Sequence, residues 1–199
     1  EPSSPSQKSA WRSRNQRRIA AAGFRVVAPY MRGYPPTGFA DDYSVPALGR
    51  DVVALIDAFG AESAVVVGHD WGAAAVYSAA GENPSKFKKI VAMSVPHPRG
   101  FVGDPGIFLD APHFLYYQLP WAERLLWSHD FAHIKRLYRT WAPSYDPADD
   151  VMEDIKATLR TPGATASTLG YYWSLVRADP AQQEAAAAKS ITMPALVIV

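Results

Sequence analysis

Residues 64–74, Ala-Val-Val-Val-Gly-His-Asp-Trp-Gly-Ala-Ala, constrain the fold more than any other stretch. A β-branched run from Val65 to Val67 ends in Gly68-His69-Asp70-Trp71-Gly72 and passes into alanines. The pattern predicts a buried strand, a sharp turn and a helix. Small residues two before and two after Asp70 leave room where two backbones nearly touch. The residue at the apex is held in a strained conformation with its side chain pushed into the open. Such an apex usually carries Ser; here it carries Asp. A carboxylate can attack an sp³ carbon by displacement and form an alkyl ester that water then cleaves. The competing reading is an Asp that caps a helix after a buried strand.

The flanking sequence supports an alternating architecture. Residues 1–10 read as loop, and Trp11–Ala22 as a helix carrying Arg12, Arg14, Arg17 and Arg18. Those arginines read as a solvated face, because no aromatic or Gly-rich platform accompanies them. Phe24–Pro29 predicts a strand. Ser44–Phe59 predicts an amphipathic helix with Leu48, Val52, Leu55, Ile56 and Phe59 on one stripe, Ser44 as cap and Gly60 as stop. The elbow strand and its helix to about Gly81 follow, then a strand over Lys89–Val95. Strand and helix in alternation predict an α/β fold: a parallel sheet with helices on both faces.

After Pro96-His97-Pro98 the character changes. Residues 99–189 lack strand-like runs, hold Trp121, Trp127, Trp141 and Trp173, and are punctuated by Pro143, Pro147, Pro162 and Pro180. They read as an inserted helical cap, with 1–98 and 190–199 as the α/β core. The formal net charge of +1 gives no argument for nucleic acid. The absence of Cys excludes disulfides and thiolate metal sites. No apolar run approaches the ~20 residues of a membrane span. Neither nucleic acid nor membrane is therefore expected as a partner, and a cytoplasmic location is expected. The oligomeric state stays open.

Gly68-His69-Asp70-Trp71-Gly72 after a Val-rich strand resembles the α/β-hydrolase fold, and within it the epoxide hydrolases and haloalkane dehalogenases. The run from Ala21 through Gly23-Phe24-Arg25-Val26-Val27-Ala28-Pro29 to Arg32-Gly33-Tyr34 is similar to the epoxide hydrolase group. Tyr30 stands where that group usually has Asp, a departure that touches a loop hydrogen bond and not the chemistry. The resemblance implies Asp70 as nucleophile. It also implies the Trp71 backbone N–H as half of an oxyanion hole, with the indole N–H as a donor able to hold a leaving group.

Opening an epoxide leaves an alkoxide, which needs a proton donor opposite the nucleophile. Similar epoxide hydrolases place two Tyr, or a His and a Tyr, on the cap for this. The match falls on Tyr172 in Leu169-Gly170-Tyr171-Tyr172-Trp173 and, counting back from Gln118-x-Pro120, on His113. The bland alternative is that these aromatics pack the cap. The resemblance implies a small apolar epoxide as substrate, a vicinal diol as product, and no cofactor or metal. The alternative is a haloalkane or haloacid dehalogenase of the same fold. Trp71 stands where fluoroacetate-type enzymes carry Arg.

Family members also carry a His-Gly-x-Pro loop, a second carboxylic acid and a base His. The region matching the first, Glu1 to Pro5, has no His-Gly, and the resemblance places the other two beyond Val199. A fragment or degraded copy is therefore expected, and a catalytically incompetent chain is the third reading. His69 is expected to point back toward the loop before the sheet, and His97 to be structural. His129 and His133, four apart on an expected helix, lack a third ligand and an adjacent Glu, so packing is favoured over zinc.

Overall fold

The computed structural model of the protein describes residues 16–100, 106, 111–147 and 149–198. The start of the helix expected at Trp11 lies outside them, and residues 16–21 are helical. The chain divides into two compact units, one of residues 1–39 and 120–168, the other of residues 40–119 and 169–199.

The second unit holds the sheet. Three parallel strands, β1 (Ala64–His69), β2 (Phe87–Met93) and β3 (Ala195–Ile198), lie in the order β1-β2-β3. Val66 pairs with Ile90 and Gly68 with Ala92 across the first ladder, and Ala92 with Val197 across the second. Helix α1 (Val45–Ala58) begins at the Ser44 cap, whose hydroxyl accepts from the Ala47 N–H, and Gly60 follows it at φ 67°. Helix α2 (Trp71–Glu82) follows the elbow.

The alanines of α2 allow close approach. Ala73, Val76, Tyr77, Ala79 and Ala80 pack with Ile56 of α1 and with Phe87, Ile90 and Ala92 of β2 in one buried cluster. Burying each large aliphatic chain there contributes about 2 kcal/mol. Phe59, expected on the apolar stripe of α1, lies just past its end and is exposed. The same unit holds the short helix α3 (His113–Tyr116).

Residues 24–30, expected to begin with a strand, form no ladder. Their β-branched composition carries the propensity, but a strand is defined by a hydrogen-bonded neighbour, and neither ladder includes them. The sheet of the described residues therefore starts at Ala64.

The first unit contains α4 (Ala122–Trp141) and α5 (Asp149–Arg160), and α6 (Ala164–Arg177) begins in it. The prolines act as boundaries: Pro143 and Pro147 lie between α4 and α5, and Pro162 between α5 and α6. Helix α7 (Pro180–Ala188), in the other unit, opens with Pro180 behind the Asp179 cap. Helix α4 is not continuous. Ser128 is extended, and His129, Asp130 and Phe131 all have positive φ, at 49°, 54° and 61°. His129 and His133 therefore do not share one helical face, contrary to their spacing. Phe131 is buried against Trp127 at 5.0 Å between ring centroids, while Asp130 pairs with Lys156 at 2.7 Å and Arg160 at 2.5 Å.

Candidate active site

The site is built from the elbow outward. β1 ends at His69, and Asp70 turns the chain at φ 53°, ψ −123°. That conformation is uncommon for a residue with a Cβ and costs on the order of 1–3 kcal/mol. Backbone bonds on both sides hold it: the Asp70 N–H donates to the Met93 carbonyl at 3.1 Å, and the Asp70 carbonyl accepts from Ala73 at 2.8 Å and Ala74 at 3.2 Å. Strand and helix meet closely at Gly68. A Cβ there would lie 2.3 Å from the Gly72 carbonyl oxygen and 2.7 Å from the Ala73 nitrogen. Gly72 is different, because a Cβ there meets nothing within 4 Å among the described residues. The requirement for smallness falls on one side of the apex and not, as its symmetry implied, on both.

The Asp70 side chain makes no capping bond to the first turn of α2. Its carboxyl titrates above the ordinary value, because desolvation by the surrounding protein outweighs the stabilising charge of His69 and the Trp71 backbone N–H. The residue still has surface open to solvent. Crowding around the carboxyl sets the direction of the shift.

Trp71, next in the chain, packs into a group of rings. Its ring lies 5.3 Å from Tyr171 and 5.3 Å, at 90°, from Tyr172. Tyr172 in turn meets His113 at 5.3 Å, Phe114 at 5.3 Å and Tyr117 at 4.7 Å, all at 74–82°. Edge-to-face contacts of this kind fix ring orientation and are each worth about 0.5–1.5 kcal/mol. The two sequence-predicted donors, Tyr172 and His113, are thus in contact, and Tyr172 touches the residue that follows Asp70. Buried Tyr171 and Tyr117 complete the group.

Two positioning contacts were not legible as such. The Gln118 amide donates to the carbonyls of Phe114 at 3.2 Å and Tyr172 at 3.0 Å. The Trp173 indole N–H donates to the Tyr117 carbonyl at 2.8 Å. The sequence signal for the first is Gln118-x-Pro120, which follows His113 by five residues. Tyr43 packs on Tyr171 at 5.2 Å, and a Cβ at Gly170 would lie 2.7 Å from the Tyr43 ring, so only glycine lets α6 come this close.

The remaining histidines sit elsewhere. His97 packs edge-on against Tyr77 at 5.1 Å, and its Nδ1 accepts from the Arg99 N–H at 3.3 Å. Burial, and then the Arg99 charge, hold its pKa below the ordinary value. His133 is buried and likewise lowered, mainly by desolvation. Among the described residues no group of three His, Asp or Glu is arranged to hold a metal ion, and no helix is long and apolar enough to cross a membrane.

A parallel sheet whose strand turns through a strained, desolvated Asp into a helix defines a hydrolase-type α/β protein with a carboxylate at the elbow. The chain belongs to the alpha/beta hydrolase fold family, whose profile matches residues 5–198. It is 32% identical over 175 residues to the AB hydrolase superfamily protein YfhM of Bacillus subtilis, covering 83% of this chain and 60% of that protein. It is 26% identical to human Epoxide hydrolase 4, over 93% of this chain and 53% of that one. The crystal structure of a mutant of an epoxide hydrolase from Bacillus megaterium superposes with a TM-score of 0.71 at 21% identity, over 92% of this chain and 69% of that one. At that identity the likeness shows the fold alone. The chain thus spans 60% and 53% of the two curated relatives.

Proposed function

We propose that the protein opens small apolar epoxides through an ester on Asp70. The observation that carries this is the ring contact running from Trp71, beside the elbow carboxylate, to Tyr172 and on to His113. A carboxylate oxygen of Asp70 attacks one oxirane carbon, and the carbon–oxygen bond on that carbon breaks. The departing oxygen keeps the electron pair and takes a proton from the Tyr172 hydroxyl, with His113 as the second donor. The product is a hydroxyalkyl ester. Water then cleaves the ester at its carbonyl, releasing a vicinal diol and restoring the carboxylate, and the proton set free returns to the Tyr172 phenolate. In this reading the Trp71 backbone N–H holds the developing oxyanion in that step. Residues 99–189 are read as the cap that brings the donors.

The support is of three kinds. The elbow backbone is strained and its carboxyl crowded, features that cluster at functional sites. The donor pair is in contact. A relative named an epoxide hydrolase matches 93% of this chain. A dehalogenase would use the same carboxylate and the Trp71 indole.

The test is acid-quenched intact mass spectrometry of the protein with styrene oxide and, separately, with a chloroalkane. An epoxide adduct adds the whole substrate mass, whereas a haloalkane adduct adds it less hydrogen halide. The expected result is the epoxide adduct, mapped to the Asp70 peptide and absent in Asp70→Asn. Tyr172→Phe should slow its formation by roughly 10²–10⁴-fold. An adduct from the haloalkane alone, or one on another residue, overturns the proposal.

A further inference from the structure

We infer that Gln118 is a positioning residue that sets the relative placement of the two ring-opening donors. The inference rests on the assignment of Tyr172 and His113 as those donors. They come from different elements, His113 from α3 and Tyr172 from α6, and 58 intervening residues make their proximity a tertiary matter. One primary amide reaches both elements. Its two N–H groups go to the Phe114 carbonyl, one residue after His113, and to the Tyr172 carbonyl itself. An amide NH₂ carries two donors in one rigid plane, so satisfying both fixes the spacing between the two carbonyls.

A second bond runs the opposite way. The Trp173 indole on α6 donates to the Tyr117 carbonyl, next to Gln118. The two bonds cross between the same two segments and so oppose both sliding and rotation of one against the other. Elsewhere on α6, Gly170 lies against the Tyr43 ring, and the Ser174 hydroxyl donates to the Tyr171 carbonyl at 2.7 Å with the Tyr43 carbonyl also near, at 3.2 Å. Ring packing orients the rings but tolerates small slips in distance, because such pairs are favourable over centroid separations of about 4.5–7 Å. A donor displaced by about 1 Å loses much of its effect on a reacting oxygen, so directional bonds are needed here.

The same helix provides an internal comparison. The Gln183 amide donates to the Leu175 carbonyl at 2.7 Å, three residues beyond Tyr172. It is chemically the same bond to the same helix, and it touches neither donor.

The experiment places 3-fluorotyrosine at position 172 and reads its ¹⁹F resonance in the parent, Gln118→Met and Gln183→Met proteins. Methionine keeps length and volume and removes both N–H groups. The expected result is a shifted or broadened ¹⁹F line in Gln118→Met and an unchanged line in Gln183→Met, with both variants folded. In acid-quench assays on the unlabelled proteins, Gln118→Met should lower the limiting rate of ester formation roughly tenfold, with half-saturation nearly unchanged. An unchanged ¹⁹F line in folded Gln118→Met overturns the inference. So does a slowed reaction matched by Gln183→Met. If Gln118→Met does not fold, Gln118→Asn, which keeps the donors but withdraws them by one methylene, is read by the same criteria. The resonance reports ring placement without any substrate. A shifted line with no adduct in any protein would therefore sink the epoxide reading and leave the positioning role standing.

Discussion

The elbow offers a sharp comparison between two substitutions that look alike in sequence. Gly68→Ala adds a Cβ 2.3 Å from the Gly72 carbonyl oxygen and 2.5 Å from its carbon. Both obstructing atoms are backbone, so no side chain can swing aside. The start of α2 would have to retreat by about 1 Å, against the bonds from Ala73 and Ala74 to Asp70. The expected cost lies at the upper end of the overpacking range, about 3 kcal/mol. Gly72→Ala adds a Cβ that meets nothing within 4 Å among the described residues, inside the first turn of a helix. It should stabilise by about 0.5–1 kcal/mol, the helix-propensity gain of Ala over Gly. Urea denaturation followed by tryptophan fluorescence measures both. With a slope near ~2 kcal/mol/M the two midpoints should differ by about 2 M. Midpoints within experimental error of each other, or Gly72→Ala as damaging as Gly68→Ala, would falsify the claim that the close approach is one-sided.

Further expectations concern charge and backbone strain. Because desolvation raises the Asp70 pKa, the stability it permits is full below its ordinary value of 3.8 and is lost as pH rises through the raised value. Asp70→Asn should therefore be more stable than the parent at neutral pH and lose that advantage below pH 3.8; a melting temperature lower than the parent's at pH 7 counts against it. Side-chain hydrogen bonds from Lys156 and then Arg160 lower the Asp130 pKa, so its contribution is present above the ordinary 3.8 and fades as pH falls. Asp130→Asn should lower the melting temperature at low ionic strength and much less at about 1 M salt, where exposed pairs are screened. His129 sits at φ 49°, ψ 43°, where a Cβ is unfavourable by about 1–2 kcal/mol. After the entropy Gly gains on unfolding, His129→Gly should raise stability by roughly 0.5 kcal/mol or more in urea titration, and a loss would show that the left-handed turn is not strained.

What could be read in advance follows from how local each feature is. The Ser44 cap, the Gly60 stop and the Val65–Val67 strand are set by residues next to one another, and the structure places all three where the sequence put them, although Val65 and Val67, expected to be buried, are exposed because burial depends on what packs over the strand. The strand at 24–29 was misread because composition records propensity while pairing depends on a neighbour distant in the chain. The His129–His133 spacing misled for a related reason. Burying Phe131 and pairing Asp130 with Lys156 and Arg160 outweigh the local preference for a continuous helix, and no periodicity reveals that. In the candidate site, Tyr172 and His113 were legible through motif resemblance. The Gln118 and Trp173 bonds were not, since each joins segments more than fifty residues apart.

The Asp70 amide donates into the sheet, and one strand over Ser94, also at positive φ, donates to the Ile198 carbonyl at 2.7 Å. The carboxylate proposed as nucleophile is thus carried on the final rung of a ladder and not on a loop. Its backbone proton should exchange with deuterated solvent faster than those of Val66 and Ile90, which lie inside the ladder. Heat or denaturant that frays the strand ends should disarm the chemistry before the hydrophobic interior melts.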